Sequence, residues 1–222
     1  MKKGKKRHSA AGGKAGNPIL LEVLLEEESA NEALKPLISK ITTGMHVKIG
    51  VRQFQGKPDL LKELPDRLRG YAAARNRGED IRVVVLLDRD EDDCVKLKKR
   101  LDDYATKAGL TPRAQRRQGG HFHVLNRIAI RELESWYFGD WAAVKGGFPK
   151  APRLPPRNYR GNPDAASGKC SDAFEGALRS EGIRIASKPE WGRRIGPHLN
   201  PDGNRSPSFN AFVAGVRDIL EL

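Results

Sequence analysis

The chain has 222 residues, 38% of them hydrophobic, and a formal net charge of +13. This length allows one domain, or one domain with an appendage, and the composition is sufficient for a hydrophobic core. The basic balance favours a polyanionic partner such as nucleic acid over a protein that is merely basic and soluble. The two distant cysteines, Cys94 and Cys170, indicate neither a disulfide framework nor a zinc site and fit a reducing, cytoplasmic compartment.

Composition divides the chain into three segments. Residues 1–17 contain no large apolar residue except the initiator and are predicted to be a disordered basic tail. Residues 18–145 are expected to form the main domain. Residues 146–222 are rich in Pro, Gly and Arg and are expected to be a partly irregular extension ending in a packed helix, 206–221. The longest apolar run near the N-terminus is too short to span a membrane, so we expect no membrane partner.

Hydrophobic periodicity predicts strands that alternate with helices in the main domain. The strands are predicted at 19–25, 47–54, 81–87 and 122–130, and the helices at 29–41, 58–77, 95–108 and 131–141. Ser29 is expected to cap the first helix in a capping box with Glu32, and Pro36 to kink or restart it. The third strand is apolar on both faces, so the prediction is an α/β fold with a mostly parallel, four-stranded sheet and flanking helices.

Acidic residues follow three of the predicted strands. Glu26 closes the first strand, Asp88 and Asp90 close the third, and Glu134 follows the fourth. The functional crevice of an open parallel sheet lies beyond the carboxyl ends of its strands, so these acids are expected to converge. If the backbone stays extended, Asp88 and Asp90 point to the same side.

Oxygen ligands without a neighbouring His or Cys suit Mg²⁺ or Mn²⁺, and the predicted ligands are the same four acids. The structural alternative is helix capping, which is the role expected for Asp92 and Asp93. Glu132 accompanies Glu134 as a further acid after the fourth strand.

Two of these segments resemble motifs of the Toprim family, the Rossmann-like metal-dependent domain of topoisomerases, primases and OLD-family nucleases. The segment "LLEEESANEAL" is similar to its first motif with Glu26 as the key acid, and "VVVLLDRDEDDC" to its DxD motif with Asp88 and Asp90. The family usually has Gly after the first acid, whereas this chain has Glu27. Glu28 therefore stays open as an alternative first-motif acid.

A later pair of segments, "AIRELESWYFGD" and "NRSPSF", resembles the bacterial Toprim-like group filed as domain of unknown function family 4276. In that group the recurring acid precedes a small residue and Trp, which here is Glu134 before Ser135 and Trp136. The resemblance implies a Mg²⁺-dependent nuclease that cleaves DNA or RNA, tRNA included. It also implies an effector of anti-phage defence that works with a separate OLD- or ABC-type ATPase.

Basic side chains are the expected contacts to the phosphate backbone. The candidates are Arg113, Arg116, Arg117, His121, Lys188, Arg193 and Arg194. No Walker motif is present, so ATP hydrolysis is not expected from this chain. The alternatives are a non-catalytic Toprim-like module that binds nucleic acid or an ATPase, and another phosphoryl-transfer enzyme. A homodimer is also an open alternative.

Overall fold

The computed structural model describes residues 17–221. Four parallel strands form one sheet in the order β2-β1-β3-β4, which confirms the predicted α/β class and the parallel sheet. The strands are β1 (Ile19–Leu25), β2 (Val47–Gln53), β3 (Ile81–Asp88) and β4 (Val124–Ala129). The helices are α1 (Glu28–Ile41), α2 (Lys57–Asn76), α3 (Cys94–Lys107), α4 (Glu134–Gly139), α5 (Trp141–Gly147), α6 (Cys170–Arg179), α7 (Lys188–Ile195) and α8 (Pro207–Leu220). The predicted tail, apart from Asn17, lies outside the described residues.

Each face of the sheet is covered by its own set of helices. Alternate residues of β1 point to opposite faces, so Val23 and Leu24 belong to different buried clusters. Leucines of α2 and α3 cover one face, whereas α1, α4 and the whole C-terminal region cover the other. Coverage on both faces is what the apolar sequence of β3 requires. Between residues 17 and 221, no helix has the length and hydropathy needed to cross a membrane.

The C-terminal extension packs as part of the same core. Phe174, Trp191 and Phe209 are buried in the cluster that also contains α1 and one face of β1. Helix α7 lies directly on the backbone of α1: a Cβ at Gly192 would be only 2.6 Å from the carbonyl oxygen of Ser29. The absence of a side chain at Gly192 is therefore a condition for seating α7, which carries Lys188 at its first position.

Local details of α1 differ from the prediction. Its N-cap is Glu27, and Ser29 lies inside the helix, where its hydroxyl donates to Glu27 Oε1 at 2.5 Å. The helix continues through Pro36 as one segment. Proline removes the helical donor to the carbonyl of Glu32, and that carbonyl faces Gly196 at the end of α7. The helix is retained because its apolar face is fully buried.

The segment predicted as a single helix over 131–141 forms two short helices. They meet at Asp140, whose carboxylate accepts from the backbone N–H of Ala143 at 3.0 Å and from that of Asn200 at 2.9 Å. An N-cap within the apolar sequence starts a new helix, which the periodicity alone does not reveal.

Candidate functional site

Glu26 and Asp88 meet at the carboxyl edge of the sheet, because β1 and β3 are neighbours. The Oε2 atom of Glu26 accepts a hydrogen bond from the backbone N–H of Asp88 at 3.1 Å. Glu27 has φ −151° and ψ 174°, an extended backbone that does not need glycine. Glu28 is exposed, and its carboxylate lies 4.0 Å from Arg193. The structure therefore brings Glu26, and not Glu28, to the DxD segment.

The acids at this edge repel one another. Burial, together with the carboxylates of Glu134 and Glu26, raises the pKa of Asp88 well above its usual range. The carboxylate of Asp88 receives no hydrogen bond from residues 17–221 that would offset this repulsion. Burial is also the main cause of the raised pKa of Glu26, although the Asp88 N–H and Lys57 act against it. These groups hold negative charge at a cost, which is typical of functional sites.

Glu134 is the most buried of the four predicted ligands, with 2% of its surface exposed. Its Oε2 atom is buried and has no hydrogen-bond partner within residues 17–221. Burial raises its pKa to about 7, with Lys188 opposing the shift and Glu132 adding to it. A buried carboxylate oxygen without a partner is costly, so this atom is the clearest sign of an unfulfilled interaction at the edge.

Asp90 does not share an extended backbone with Asp88, which corrects the expectation that both project to one side. β3 ends at Asp88, and Asp90 has φ +50°, in the left-handed region. Its N–H donates to the carbonyl of Arg131 at 2.8 Å, and its carboxylate lies 2.7 Å from Lys57 Nζ. Asp90 nevertheless remains near the other acids. Its charge therefore contributes to the raised pKa values of Asp88 and Glu26.

Asp92 and Asp93, two further acids of this loop, have structural partners. Asp93 is the N-cap of α3 and accepts from the backbone N–H of Val95 at 2.9 Å, as predicted. The expectation of capping is wrong for Asp92, whose carboxylate pairs with Lys57 at 2.7 Å.

Lys188 lies among the acids, at the start of α7. Its Nζ atom is 3.4 Å from Oε1 of Glu134 and 3.4 Å from Oε1 of Glu132. Burial alone would lower the pKa of Lys188, but the surrounding carboxylates, Glu134 first, raise it. The predicted phosphate contact is therefore close enough to the acids to neutralise one of them.

Glu132 has a different role from Glu134, although both belong to the same motif. Its carboxylate accepts from the backbone N–H of Ser171 at 2.8 Å and from the Ser171 hydroxyl at 3.0 Å. Burial opposes its ionisation, yet these bonds and Lys188 lower its pKa. Glu132 thus holds the first turn of α6 in place, and its negative charge is stabilised by Ser171 and Lys188.

The other predicted phosphate contacts lie away from the acids. Arg113 and Arg116 pair with Asp218 of α8 at 2.7 and 2.5 Å, and His121 lies 2.6 Å from Glu221. All three precede β4, so they lie at the amino edge of the sheet, as does the exposed Arg117. The length of a strand such as β3, about 23 Å at about 3.3 Å per residue, separates this edge from the acids.

Arg193 and Arg194 form an exposed ion-pair group on α7. Both pair with Glu190, at 2.6 and 2.7 Å, and Arg193 also reaches Glu32 of α1 at 3.4 Å. These contacts join α7 to α1 at the surface.

The two late motifs contact each other and support α4. The Nδ2 of Asn204 donates to the carbonyl of Trp136 at 2.9 Å, and the Trp136 indole N–H donates to Ser208 Oγ at 2.8 Å. A side chain at Gly139 would overlap Asn204 Oδ1, which explains the glycine there. This buried network fixes α4, and Glu134 is the first residue of α4.

Lys57 is the residue that sequence reasoning missed. It begins α2 directly after β2, and its Nζ bridges Asp90 and Asp92 at 2.7 Å each. The rule that flagged the acids would have found it, since Lys57 follows the carboxyl end of a parallel strand.

The chemistry of these residues fits a divalent cation such as Mg²⁺ or Mn²⁺. The donors are all carboxylate oxygens, they repel one another, and Glu134 Oε2 has no other partner. As arranged, however, no three acidic, His or Cys side chains among residues 17–221 form a ready metal site. Lys57 and Lys188 hold Asp90 and Glu134, so gathering the acids around an ion requires side-chain rotation away from these lysines.

Comparison with known proteins defines the class of this chain. A family model described as "Domain of unknown function (DUF4276)" matches residues 25–217. The chain therefore belongs to this family, which confirms the resemblance seen in the two late motifs. No curated protein and no solved structure gives a significant match. The relationship to Toprim and OLD proteins stays a prediction.

Proposed function

We propose that this protein is a Mg²⁺-dependent nuclease that hydrolyses phosphodiester bonds in DNA or RNA. The observation that carries the proposal is the convergence of Glu26, Asp88 and Glu134 from three segments onto one edge of a parallel sheet, with raised pKa values. A structural group of acids would be expected to have hydrogen-bond donors, as Glu132 has. The net charge of +13 supports a polyanionic substrate.

The chain's own residues can divide the work of such a reaction. Asp88, with Glu26 beside it and Asp90 and Glu134 nearby, would hold the metal ion, which polarises the phosphoryl oxygen and activates water when bound. Glu134 has a pKa near neutral, so it can hold or release a proton at physiological pH. Lys57 and Lys188, released from their carboxylates, would neutralise phosphate oxygens at the same edge.

The first experiment is a cleavage assay on supercoiled DNA, single-stranded DNA and tRNA with Mg²⁺, Mn²⁺ or EDTA. We expect metal-dependent cleavage of at least one substrate, and a loss of about a hundredfold or more in Asp88→Asn. The matched control is Asp103→Asn, the same substitution at an acid of α3 whose carboxylate pairs with Lys99. Titration of Mn²⁺ by calorimetry gives a second readout, because Asp88→Asn should weaken ion binding whether or not the substrate has been found.

Equal behaviour of wild type and Asp88→Asn in both measurements would refute the metal-dependent enzyme. If Asp103→Asn also abolishes cleavage, the loss in Asp88→Asn would reflect a general effect of net charge and not the removal of a specific metal ligand.

A partner ATPase and a cytoplasmic location belong to the same proposal. The family resemblance suggests an anti-phage effector that works with an OLD- or ABC-type ATPase, and the two unpaired cysteines fit a reducing compartment. Co-expression with a Walker-motif ATPase encoded beside this chain should then raise cleavage. An unchanged rate, with the ATPase shown to be active, would count against the pairing.

The second candidate is a non-catalytic module that binds nucleic acid or an ATPase. It is favoured by the lysines that already pair with Asp90 and Glu134, and by the absence of a preformed three-acid site between residues 17 and 221. This candidate predicts nucleic-acid binding that survives Asp88→Asn and is never followed by cleavage. Another phosphoryl-transfer activity would instead show as metal-dependent turnover of small phosphate esters.

A further inference from the structure

Strand β2 is an edge strand whose outer side is open. It pairs only with β1, and the bond from the Phe54 N–H to the Leu25 carbonyl fixes the alternation, so even-numbered residues of β2 face β1. The N–H and C=O groups of Val47, Ile49 and Val51 therefore point outward, and they form no hydrogen bond with residues 17–221. Every residue of β2 is exposed or half-buried, so another strand can reach this backbone.

One face of β2 carries an apolar row that is only half covered. Val47, Ile49 and Val51 pack against the buried cluster that contains α1, yet each of them remains partly exposed. All three side chains are β-branched and suit a sheet. Because they lie beside the open backbone, a further strand on this side would remove more of their apolar surface from water.

The other face of β2 has a carboxylate in the place of a missing side chain. Glu22 of β1 lies over Gly50, where a Cβ would overlap its Oε1 atom. Glu22 is 3.7 Å from Arg52 and accepts from the Tyr71 hydroxyl at 3.1 Å. Lys48 is exposed on the same face and forms no ion pair within residues 17–221. The strand thus presents a carboxylate at one position and a lysine without a counter-ion two residues away.

We propose that two copies of this chain pair antiparallel through β2, about a two-fold axis at Ile49, and so join their sheets into one of eight strands. Ile49 then lies opposite Ile49 of the other copy, and Val47 lies opposite Val51. This register bonds every outward N–H and C=O group of the three residues. Their side chains form one apolar row across the axis on the α1 side of the sheet.

The charges of β2 favour a second copy in this register. Lys48 lies opposite Gly50 of the other copy, beside its Glu22 carboxylate, and the two-fold axis forms this ion pair twice. A slip by two residues would place Lys48 opposite either Lys48 or Arg52, where like charges are destabilising. Exposed charges often protect an edge strand from pairing, whereas here they favour one register over its neighbours. Such self-complementarity is what an interface between identical copies requires.

Disulfide trapping in the full chain tests the register. The background is Cys94→Ser, which leaves only the buried Cys170 as a native thiol. Ile49→Cys should form a disulfide-linked dimer under mild oxidation, because its two Cα atoms would lie about 5.5 Å apart across the axis. The matched control is Val51→Cys, whose two Cα atoms would be separated by four residues, or about 13 Å, along the strands. We expect it to form less linked dimer by about tenfold or more.

Sedimentation equilibrium of the full chain measures the affinity. We expect wild type to dimerise at concentrations up to about 100 µM. Lys48→Glu should weaken the dimer by about tenfold or more, because it replaces both ion pairs by repulsion. Lys96→Glu is the same change at an exposed lysine of α3, which packs against β4, and it should leave the affinity unchanged. Asp88→Asn should dimerise like wild type, so this result stands apart from the nuclease proposal.

Four outcomes would overturn the inference. A wild type that stays monomeric at the highest concentration would leave the outer side of β2 to a different protein. Equal trapping of Ile49→Cys and Val51→Cys would reject the register, and equal affinities of Lys48→Glu and Lys96→Glu would place the interface elsewhere. Hydrogen exchange of the outward amides of β2 should slow only as the dimer forms. Protection of these amides in the monomer would assign the outer side of β2 to residues 1–16 instead.

Discussion

The two edges of the sheet carry similar charged residues in opposite electrostatic states. At the amino edge, Arg113 and Arg116 pair with the single carboxylate of Asp218, and the hydrogen bonds to these guanidinium groups outweigh burial and lower its pKa. At the carboxyl edge, burial and the carboxylates of Glu134 and Glu26 raise the pKa of Asp88. At the amino edge opposite charges are paired. At the carboxyl edge the carboxylates outnumber the two lysines, Lys57 and Lys188, and Asp88 forms no ion pair within residues 17–221.

This difference distinguishes residues that stabilise the fold from residues that the rest of the fold must keep in an unfavourable arrangement. A satisfied pair lowers the energy of the folded chain a little, whereas a buried group of like charges raises it and persists only if the surroundings enforce it. The enforcing parts here are α7, seated on α1 through Gly192, and the network of Trp136 and Asn204 that fixes α4. Both parts position the acidic edge: α7 places Lys188 there, and α4 places Glu134.

The largest expected effect on stability comes from removing the support of the carboxyl edge. Gly192→Ala places a Cβ 2.6 Å from the Ser29 carbonyl, so α7 and Lys188 must move away from α1. We expect the free energy of unfolding to fall by about 3 kcal/mol, the range of an overpacked core position. Urea denaturation measures this change.

The control for Gly192→Ala is Gly176→Ala in α6, where a Cβ would meet nothing within 4 Å. Alanine in a helix interior should stabilise there by up to about 1 kcal/mol. If both substitutions change stability in the same direction, the close seating of α7 is not what the glycine provides.

The strand ends were predictable because one physical rule decides them. The apolar run of residues 81–87 could only be a strand covered on both faces, and Asp88 had to follow it. The same rule placed Glu26 beside Asp88, since neighbouring parallel strands end at the same edge. The α/β class, the parallel sheet and two of the acids therefore followed from local patterns.

The residues that depend on distant contacts were not predictable in the same way. Lys188 reaches the acids because Gly192 allows α7 to pack closely on α1. The local sequence of residues 188–196 does not indicate which helix they contact. The sequence predicts an extended backbone at Asp90, but the residue is left-handed and its N–H donates to the carbonyl of Arg131, a contact that sequence spacing does not show. The motif of residues 204–209 was recognisable as a pattern, but its structural role required the contact with Trp136.

An intermediate effect, of opposite sign, is expected at Asp88 itself. In EDTA at pH 8, Asp88→Asn should stabilise the fold by about 1 to 2 kcal/mol, because it removes a carboxyl group whose ionisation is opposed by burial and by the neighbouring carboxylates. The pKa of Asp88 is raised in the folded state, so the folded chain holds a proton that the unfolded chain has released. Stability from this group is therefore lost as the pH rises above about 4, its value in the unfolded chain.

Thermal denaturation of wild type and Asp88→Asn from pH 4 to pH 8 measures this effect. The difference between the two should be small at pH 4 and grow toward pH 8. A constant difference across this range would mean that Asp88 is not under electrostatic strain, and the contrast between the edges would lose its main support.

The smallest effect is expected at the amino edge, where Asp218→Asn removes the shared partner of Arg113 and Arg116. The three side chains are partly exposed, so the loss should be at most about 1 kcal/mol and should shrink in high salt. Asp172→Asn is the control, because that carboxylate is exposed and lies 3.9 Å from its lysine, and it should change nothing measurable. Opposite signs for Asp88→Asn and Asp218→Asn in the same urea titration would show that the same substitution relieves strain at one edge and removes a partner at the other. Equal signs would mean that Asp88 is an ordinary ion-pair carboxylate, and the strain attributed to the acidic edge would have to be abandoned.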